Sequence, residues 1–321
     1  MKKRFIFLNM AIVCFCIVVF IFYSKAAASG KDFKILASTF PIRQLALNII
    51  NGRKNVDVEL LIPAQFGCPH DYALTPQDMQ KLAKADVLII NGFGMEEFLG
   101  APVQKANSSL KIIDSSIGIK DILFYSDGDH HDIHTNKGNE SKNDHQHHDG
   151  VNPHLFASPR MAGLLAINIA GELSRIDPSG AAIYSANAHS YAKKMNKLAD
   201  DFSALGKRIK NNRIVTQHGV FDYLSRDMGL NVVAVVQEHA GQEPSAAQIL
   251  KIVKTIRQQN AKAIFTEPQY PKKIGKTIAK EAGIVNEILD PVATGPENVS
   301  LDYYETIMLN NLKILKKTLD E

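Results

Sequence analysis

With 321 residues, 45% of them hydrophobic and 22% charged, the chain has the make-up of a soluble globular protein with a sizeable core, not of a fibrous or disordered one. Its formal charge of +4 is carried by Lys2, Lys3, Arg4 and Lys25, so residues 29–321 are formally neutral and the basic balance argues for neither nucleic acid nor a membrane partner. Two of the three cysteines, Cys14 and Cys16, fall in the same N-terminal stretch, which leaves Cys68 no internal disulfide partner.

The N-terminus opens with "MKKR", continues in an almost unbroken apolar run from Phe5 to Tyr23, and closes on "KAAASG". A positive start, an apolar centre and small residues at the end predict a signal peptide over 1–28, cleaved after Ala28. The run is long for that purpose, and an uncleaved membrane anchor is the competing reading. Lipid attachment is disfavoured, because Val13 and Phe15 rather than small residues precede the two cysteines.

After residue 30 short β-branched runs alternate with helical patterns, as in βα units around parallel sheets. "FKILAST", "VDVELLI", "DVLIIN" and "LKIIDSS" read as strands. Between the second and third, Thr75, Pro76 and Asp78 predict a helix start with a capping box, and Ser158 with Pro159 predicts another. From 178 to 210 apolar residues recur at helical spacing for some thirty residues, a helix of roughly 45–50 Å. Then "NRIVTQ", "NVVAVVQ", "AKAIFTE" and "NEILD" alternate with further helices, the last from about Asp302. The reading is an α/β fold of two lobes, each a small parallel sheet flanked by helices. The first covers 31–177, a long helix over 178–210 joins them, and the second covers 211–321.

In an open parallel sheet, residues just beyond the carboxyl ends of strands line the crevice where ligands bind. His70 follows the second strand, His218 follows "RIVTQ", Glu267 ends "AIFTE" and Asp290 ends "NEILD". His154, in "NPHLFASP", occupies a loop leading into a helix start and so the same edge. Three imidazoles and a carboxylate, His70, His154, His218 and Asp290, are a reasonable set for a first-row divalent metal such as zinc. The spacing alone is unspecific, and each histidine taken singly is as well explained by a structural or surface role. Glu267 reads equally as a carboxylate behind a ligand histidine or as a polar strand end. Cys68 reads as a chance neighbour of His70, His239 as a loop residue near the cleft, and His189 as a solvent-facing position on the long helix.

Residues 127–149 hold His130, His131, His134, His145, His147 and His148 among acids, Asn, Lys and Gly. Such a composition builds no core. It reads as a flexible loop that binds metal with low affinity, or as a linker that does so only incidentally.

The blocks "GCPHDYALTPQDMQKLAKADVLIINGFGMEEFL", "VNPHLFASP", "YSANAHSYAKKMNKLADDF", "VTQHGVFDYLSRDMGL" and "EPSAAQILKIVKTIRQQNAKAIFTEPQY" resemble, in order, those of the metal-binding receptor proteins of ABC importers, cluster A-I, and among these the high-affinity zinc-uptake type. The resemblance spans nearly all of the chain after the leader. It implies two four-stranded α/β lobes, a backbone helix between them, and a metal held in the cleft by His70, His154, His218 and, least securely, Asp290. It implies Zn²⁺ as cargo in preference to Mn²⁺, because the third position is His218 where manganese members typically carry glutamate. It also implies delivery to an ABC permease in the inner membrane, a periplasmic location, a monomer, no nucleic-acid partner and no catalysis. An exported zinc-dependent hydrolase and a manganese receptor are the alternatives. Two departures stand out: Gly219 follows the third histidine where aspartate is common, and Asn152 and Phe156 replace the acid and tryptophan of a D-P-H-x-W block. These substitutions predict weaker orienting hydrogen bonds around the ligands.

Overall fold

A computed structural model describes residues 32–67, 69, 72–125, 150–237 and 243–320, and residues 34–321 form one compact unit. The leader and anchor readings, His70, Cys68, His239 and the six histidines between 127 and 149 lie outside the described residues.

The first sheet comprises β1 (Phe33–Ala37), β2 (Val56–Leu60), β3 (Val87–Ile90) and β4 (Lys111–Asp114), in the order β2-β1-β3-β4. The second comprises β5 (Arg213–Thr216), β6 (Asn231–Val235), β7 (Ala263–Thr266) and β8 (Val285–Ile288), in the order β6-β5-β7-β8. The β1–β3, β3–β4, β5–β6, β5–β7 and β7–β8 pairs all run parallel. Central strands β3 and β7 read VLII and AIFT because helices cover both their faces, which removes the in-out alternation of a half-exposed strand.

Helices α1 (Phe40–Ile50), α2 (Pro76–Lys84), α3 (Gly100–Ala106) and α4 (Pro159–Ile176) accompany the first sheet. The start of α2 follows from its residues. Thr75 accepts the Asp78 N–H, the Asp78 carboxylate accepts the Thr75 N–H in return, and Pro76 sits where no amide is needed. Ser158 caps α4 by accepting the Met161 N–H. The stretch from 178 forms a 3-10 turn, Pro178–Gly180, and then α5 (Ala181–Gly206), a helix of 26 residues and roughly 39 Å. Its inner face (Tyr184, Ala188, Tyr191, Met195, Leu198, Ala199, Phe202, Leu205) is buried, and α5 packs on α1, α4, α6 (Asp222–Met228) and α9 (Tyr303–Leu319). It therefore touches helices of both lobes. His189 lies on its exposed face. On the other face of the second sheet α7 (Ala246–Gln259) and α8 (Lys272–Ala282) pack side by side over Val215, Val236 and Ile264.

The segment from Asp290 to Asp302 crosses between the lobes. Gly295 N–H donates to Ala64 O at 3.1 Å, Arg43 donates to Glu297 O at 2.9 Å and Asn48 donates to Leu301 O at 2.8 Å. The Phe40 and Tyr303 rings meet edge to face. Among the described residues no helix is long and apolar enough to cross a membrane.

Candidate metal centre

His218 sits two residues beyond β5, at the head of a 3-10 turn (Gly219–Phe221), and Glu267 directly follows β7. β5 and β7 are neighbours in the sheet, so two residues 49 positions apart emerge side by side. The ring Nδ1 of His218 lies 2.6 Å from Glu267 Oε1, and both side chains are buried. A carboxylate there accepts the Nδ1 proton, which fixes the tautomer and leaves Nε2 as the lone-pair nitrogen. Glu267 Oε2 accepts a second bond, from Gln269 Nε2 at 2.6 Å. The Tyr270 ring stands edge-on to His218, with centroids 5.8 Å apart.

His154 reaches the same place from the other lobe. It precedes a 3-10 turn, Leu155–Ala157, which leads into α4, and it is 1% exposed. Its ring Nδ1 donates to Asn152 Oδ1 at 2.8 Å and its backbone N–H donates to the same oxygen at 3.0 Å. The amide oxygen sets the His154 tautomer as Glu267 sets that of His218. Asn152 Nδ2 in turn donates to Gly219 O at 2.8 Å and to Asp222 Oδ2 at 2.9 Å, and Tyr223 OH donates to Asn152 O. The carboxamide of Asn152, which stands where an acid was expected, is fully engaged and ties the two histidine loops together. The result is two imidazoles with ring centroids 5.1 Å apart at 81°.

Behind this pair stands a buried acid, Glu96, in the loop after β3. Its carboxylate accepts from Ser38 Oγ (2.6 Å), Asn91 N (2.8 Å) and Gly92 N (3.2 Å). Asn91 Nδ2 donates to Pro153 O, one residue from His154. Burial pushes the Glu96 carboxyl up to about 7 in spite of its three donors, with the charge of Asp114 adding to the rise.

Asp290 lies two residues beyond β8, which ends at Ile288. Asn311 holds its backbone from both sides, donating to Asp290 O and accepting the Asp290 N–H. Burial is the main cause that raises its carboxyl to about 6; the Val292 N–H opposes this and the charge of Glu267 reinforces it. Asp290 therefore belongs to the electrostatic neighbourhood of Glu267.

The described residues thus bring together His154, His218 and Glu267, with Asp290 within the reach of Glu267's charge. Among them there is no ready-made group of three or more metal-ligating side chains. His70 is not described, but Gly67 and Pro69 before it are. Pro69 accepts the Tyr72 N–H, and a Cβ on Gly67 would meet Gln269 at 3.5 Å and Thr294 at 3.6 Å. The turn before His70 therefore abuts Gln269, the residue hydrogen-bonded to Glu267. Tyr270 and Gln269 carry no ligand-type signal of their own; only their place in "TEPQY", directly after a strand end, marks them as neighbours of the site.

The family model described as ZnuA, zinc-uptake complex component A, periplasmic, matches residues 35–318. The zinc-binding protein AdcA of Streptococcus pyogenes serotype M3 is 29% identical over 325 residues, covering 100% of this chain and 62% of the relative, so the chain spans less than two thirds of that protein. The high-affinity zinc uptake system protein ZnuA of Bacillus subtilis is 27% identical over 299 residues, 92% of this chain and 90% of the relative. The crystal structure of a zinc-bound mutant variant of AdcAII from Streptococcus pneumoniae superimposes with a TM-score of 0.74 at 26% identity, covering 90% of this chain and 99% of the other.

Proposed function

This chain belongs to the family of periplasmic zinc-uptake component A proteins, and from that premise we propose that it is a receptor that binds Zn²⁺ between its lobes and hands it to an ABC transporter. The observation that carries the reading is the His154–His218 pair, one imidazole from each lobe, each oriented through Nδ1 by a buried acceptor. His70, His154, His218 and Asp290 are the ligands in this reading, with Glu267 orienting His218. The curated relatives are named for zinc.

Charge balance supports a divalent ion. Glu267 and Asp290 are close enough for the charge of Glu267 to raise the Asp290 carboxyl, and Glu267 is buried while Asp290 is partly so. A doubly charged cation between neutral imidazoles compensates both carboxylates, and its binding requires the ligands to be deprotonated. No reaction is needed: with four protein ligands the shell is closed, unlike a hydrolytic zinc site that keeps a position for water.

The leader over 1–28 would deliver the protein to the periplasm as a monomer, and the partner would be a permease in the inner membrane. The lobes would divide as 31–177 and 211–321 with 178–210 between them, the long helix limiting hinge motion. Histidines 130, 131, 134, 145, 147 and 148 would capture metal weakly, since a chain that must be ordered on binding forfeits affinity relative to a preformed cleft. Zinc titration calorimetry tests the reading. His154→Ala lowers the tight affinity by orders of magnitude, whereas deletion of residues 127–149 leaves one tight site. Loss of that site on loop deletion would overturn the accessory role given to the loop. Displacement of bound Zn²⁺ by an equal concentration of Mn²⁺ would favour a manganese receptor instead.

A further inference from the structure

Residues 246–282, from the start of α7 to the end of α8, carry eight basic and two acidic side chains, while the rest of the chain from residue 29 carries 25 and 31. One of the two acids is the buried Glu267. The charge is therefore concentrated on one shoulder of the second lobe. Lys251, Lys254 and Arg257 on α7 and Lys272, Lys273, Lys276 and Lys280 on α8 are all exposed, and the two helices lie side by side. The lysine ion pairs of the described residues involve Lys81, Lys194, Lys197 and Lys317, none of them on this shoulder.

Two further features set this face apart from an ordinary solvated one. Lys272, Lys273 and Lys276 crowd the first two turns of α8, which has no side-chain cap and no acid in its first turn. Cations there oppose the helix dipole, so local stability does not explain them, whereas an external anion would relieve the conflict. Leu250 stands 70% exposed near the start of α7, one turn before Lys254. Neither helix carries an aromatic side chain on which a nucleobase would stack. Both start at the carboxyl edge of the second sheet, α7 following β6 and α8 following the Tyr270 loop. That is the edge which carries His218, Glu267 and Asp290.

We propose that the α7–α8 shoulder docks on anionic phospholipid headgroups, the lysines meeting phosphates and Leu250 entering the interface. The proposal rests on the family reading for its compartment. Each lysine close to an anionic surface raises partitioning about fivefold.

Co-sedimentation with unilamellar vesicles tests it, using the chain from residue 29, since residues 34–321 are one compact unit. Binding should appear with phosphatidylglycerol–phosphatidylcholine vesicles, fall with added salt, and be absent with phosphatidylcholine alone. The combined Lys272→Glu, Lys273→Glu and Lys276→Glu variant should partition at least about tenfold less, while the corresponding triple arginine variant retains binding. Equal binding to neutral vesicles, or undiminished binding by the triple glutamate variant, overturns the proposal. So does a single-stranded oligonucleotide bound more tightly than the vesicles and lost in the same variant. Zinc titration of the unsubstituted chain keeps the two readings apart: absence of tight zinc binding would sink the receptor function and leave the vesicle result standing.

Discussion

Asn152 and Gly219 fit one another across the boundary between the lobes. The Asn152 amide donates to Gly219 O at 2.8 Å, and a Cβ on Gly219 would stand 3.0 Å from Asp222 Oδ2 and 3.4 Å from Asn152 Nδ2. An aspartate at 152 would keep the bonds from His154 but lose both donations and set its charge against Asp222. A side chain at 219 would crowd the space this amide needs. Asn152 and Gly219, two of the three positions at which the sequence departs from the blocks it resembles, are a matched pair, and together they hold the loops of His154 and His218 in register.

Asn152→Ala should therefore act on binding as well as folding. Zinc affinity falls roughly 10- to 100-fold, as for other groups that orient a ligand histidine. Unfolding free energy falls by about 1–3 kcal/mol, because buried partners lose their hydrogen bonds. Calorimetric titration and urea unfolding measure the two. A variant that lost stability alone would show that the His154 ring is held by something else.

Glu267→Gln keeps the shape of the contact with His218 and removes its charge. The glutamine also turns an N–H towards Gln269, which already donates there. Zinc affinity should drop roughly 10- to 100-fold while the fold is retained. An unchanged affinity in competition with a chelator would reduce Glu267 to a polar strand end.

Glu96 makes stability depend on pH. Its carboxyl is raised from 4.5 to about 7, so the folded protein holds the proton more tightly than the unfolded chain. This contribution is fully present below the unfolded value and is lost as pH rises through 7. Between pH 5 and 8 it amounts to about 2 kcal/mol. Glu96→Gln should remove that part of the pH dependence, read as a smaller difference between urea midpoints at the two values. An identical difference in the variant would place the titration elsewhere.

The packing of α5 on α6 has a sharper test. A Cβ at Gly206 would lie 1.8 Å from the Met228 carbonyl oxygen, which is backbone and cannot swing aside. Gly206→Ala should cost about 1–3 kcal/mol by overpacking. Thermal unfolding of the metal-free protein measures it, and an unshifted midpoint would mean that the helices separate there at little cost.

Much of this architecture was legible in the residues. The strand runs, the Thr75 capping box and the Ser158 start all express local chemistry, and all eight strands formed where β-branched runs stand. Helices α3 and α6 are not legible in the sequence, because seven residues span barely two turns and leave no periodic signal. The adjacency of His218 and Glu267 follows from parallel neighbouring strands. The double role of Asn152 does not, since Gly219 and Asp222 become its partners only when the lobes pack. Asp290 is intermediate: its place past a strand end was readable, but the Asn311 clamp that fixes its backbone comes from the final helix.

The proposed receptor function requires His154 and His218 to bind one Zn²⁺ through their Nε2 atoms. Anomalous diffraction at the zinc edge, from crystals grown with one equivalent of zinc, tests this most directly. One strong peak about 2.0–2.1 Å from both nitrogens is expected. A peak away from this pair, with the two imidazoles left unligated, would contradict it.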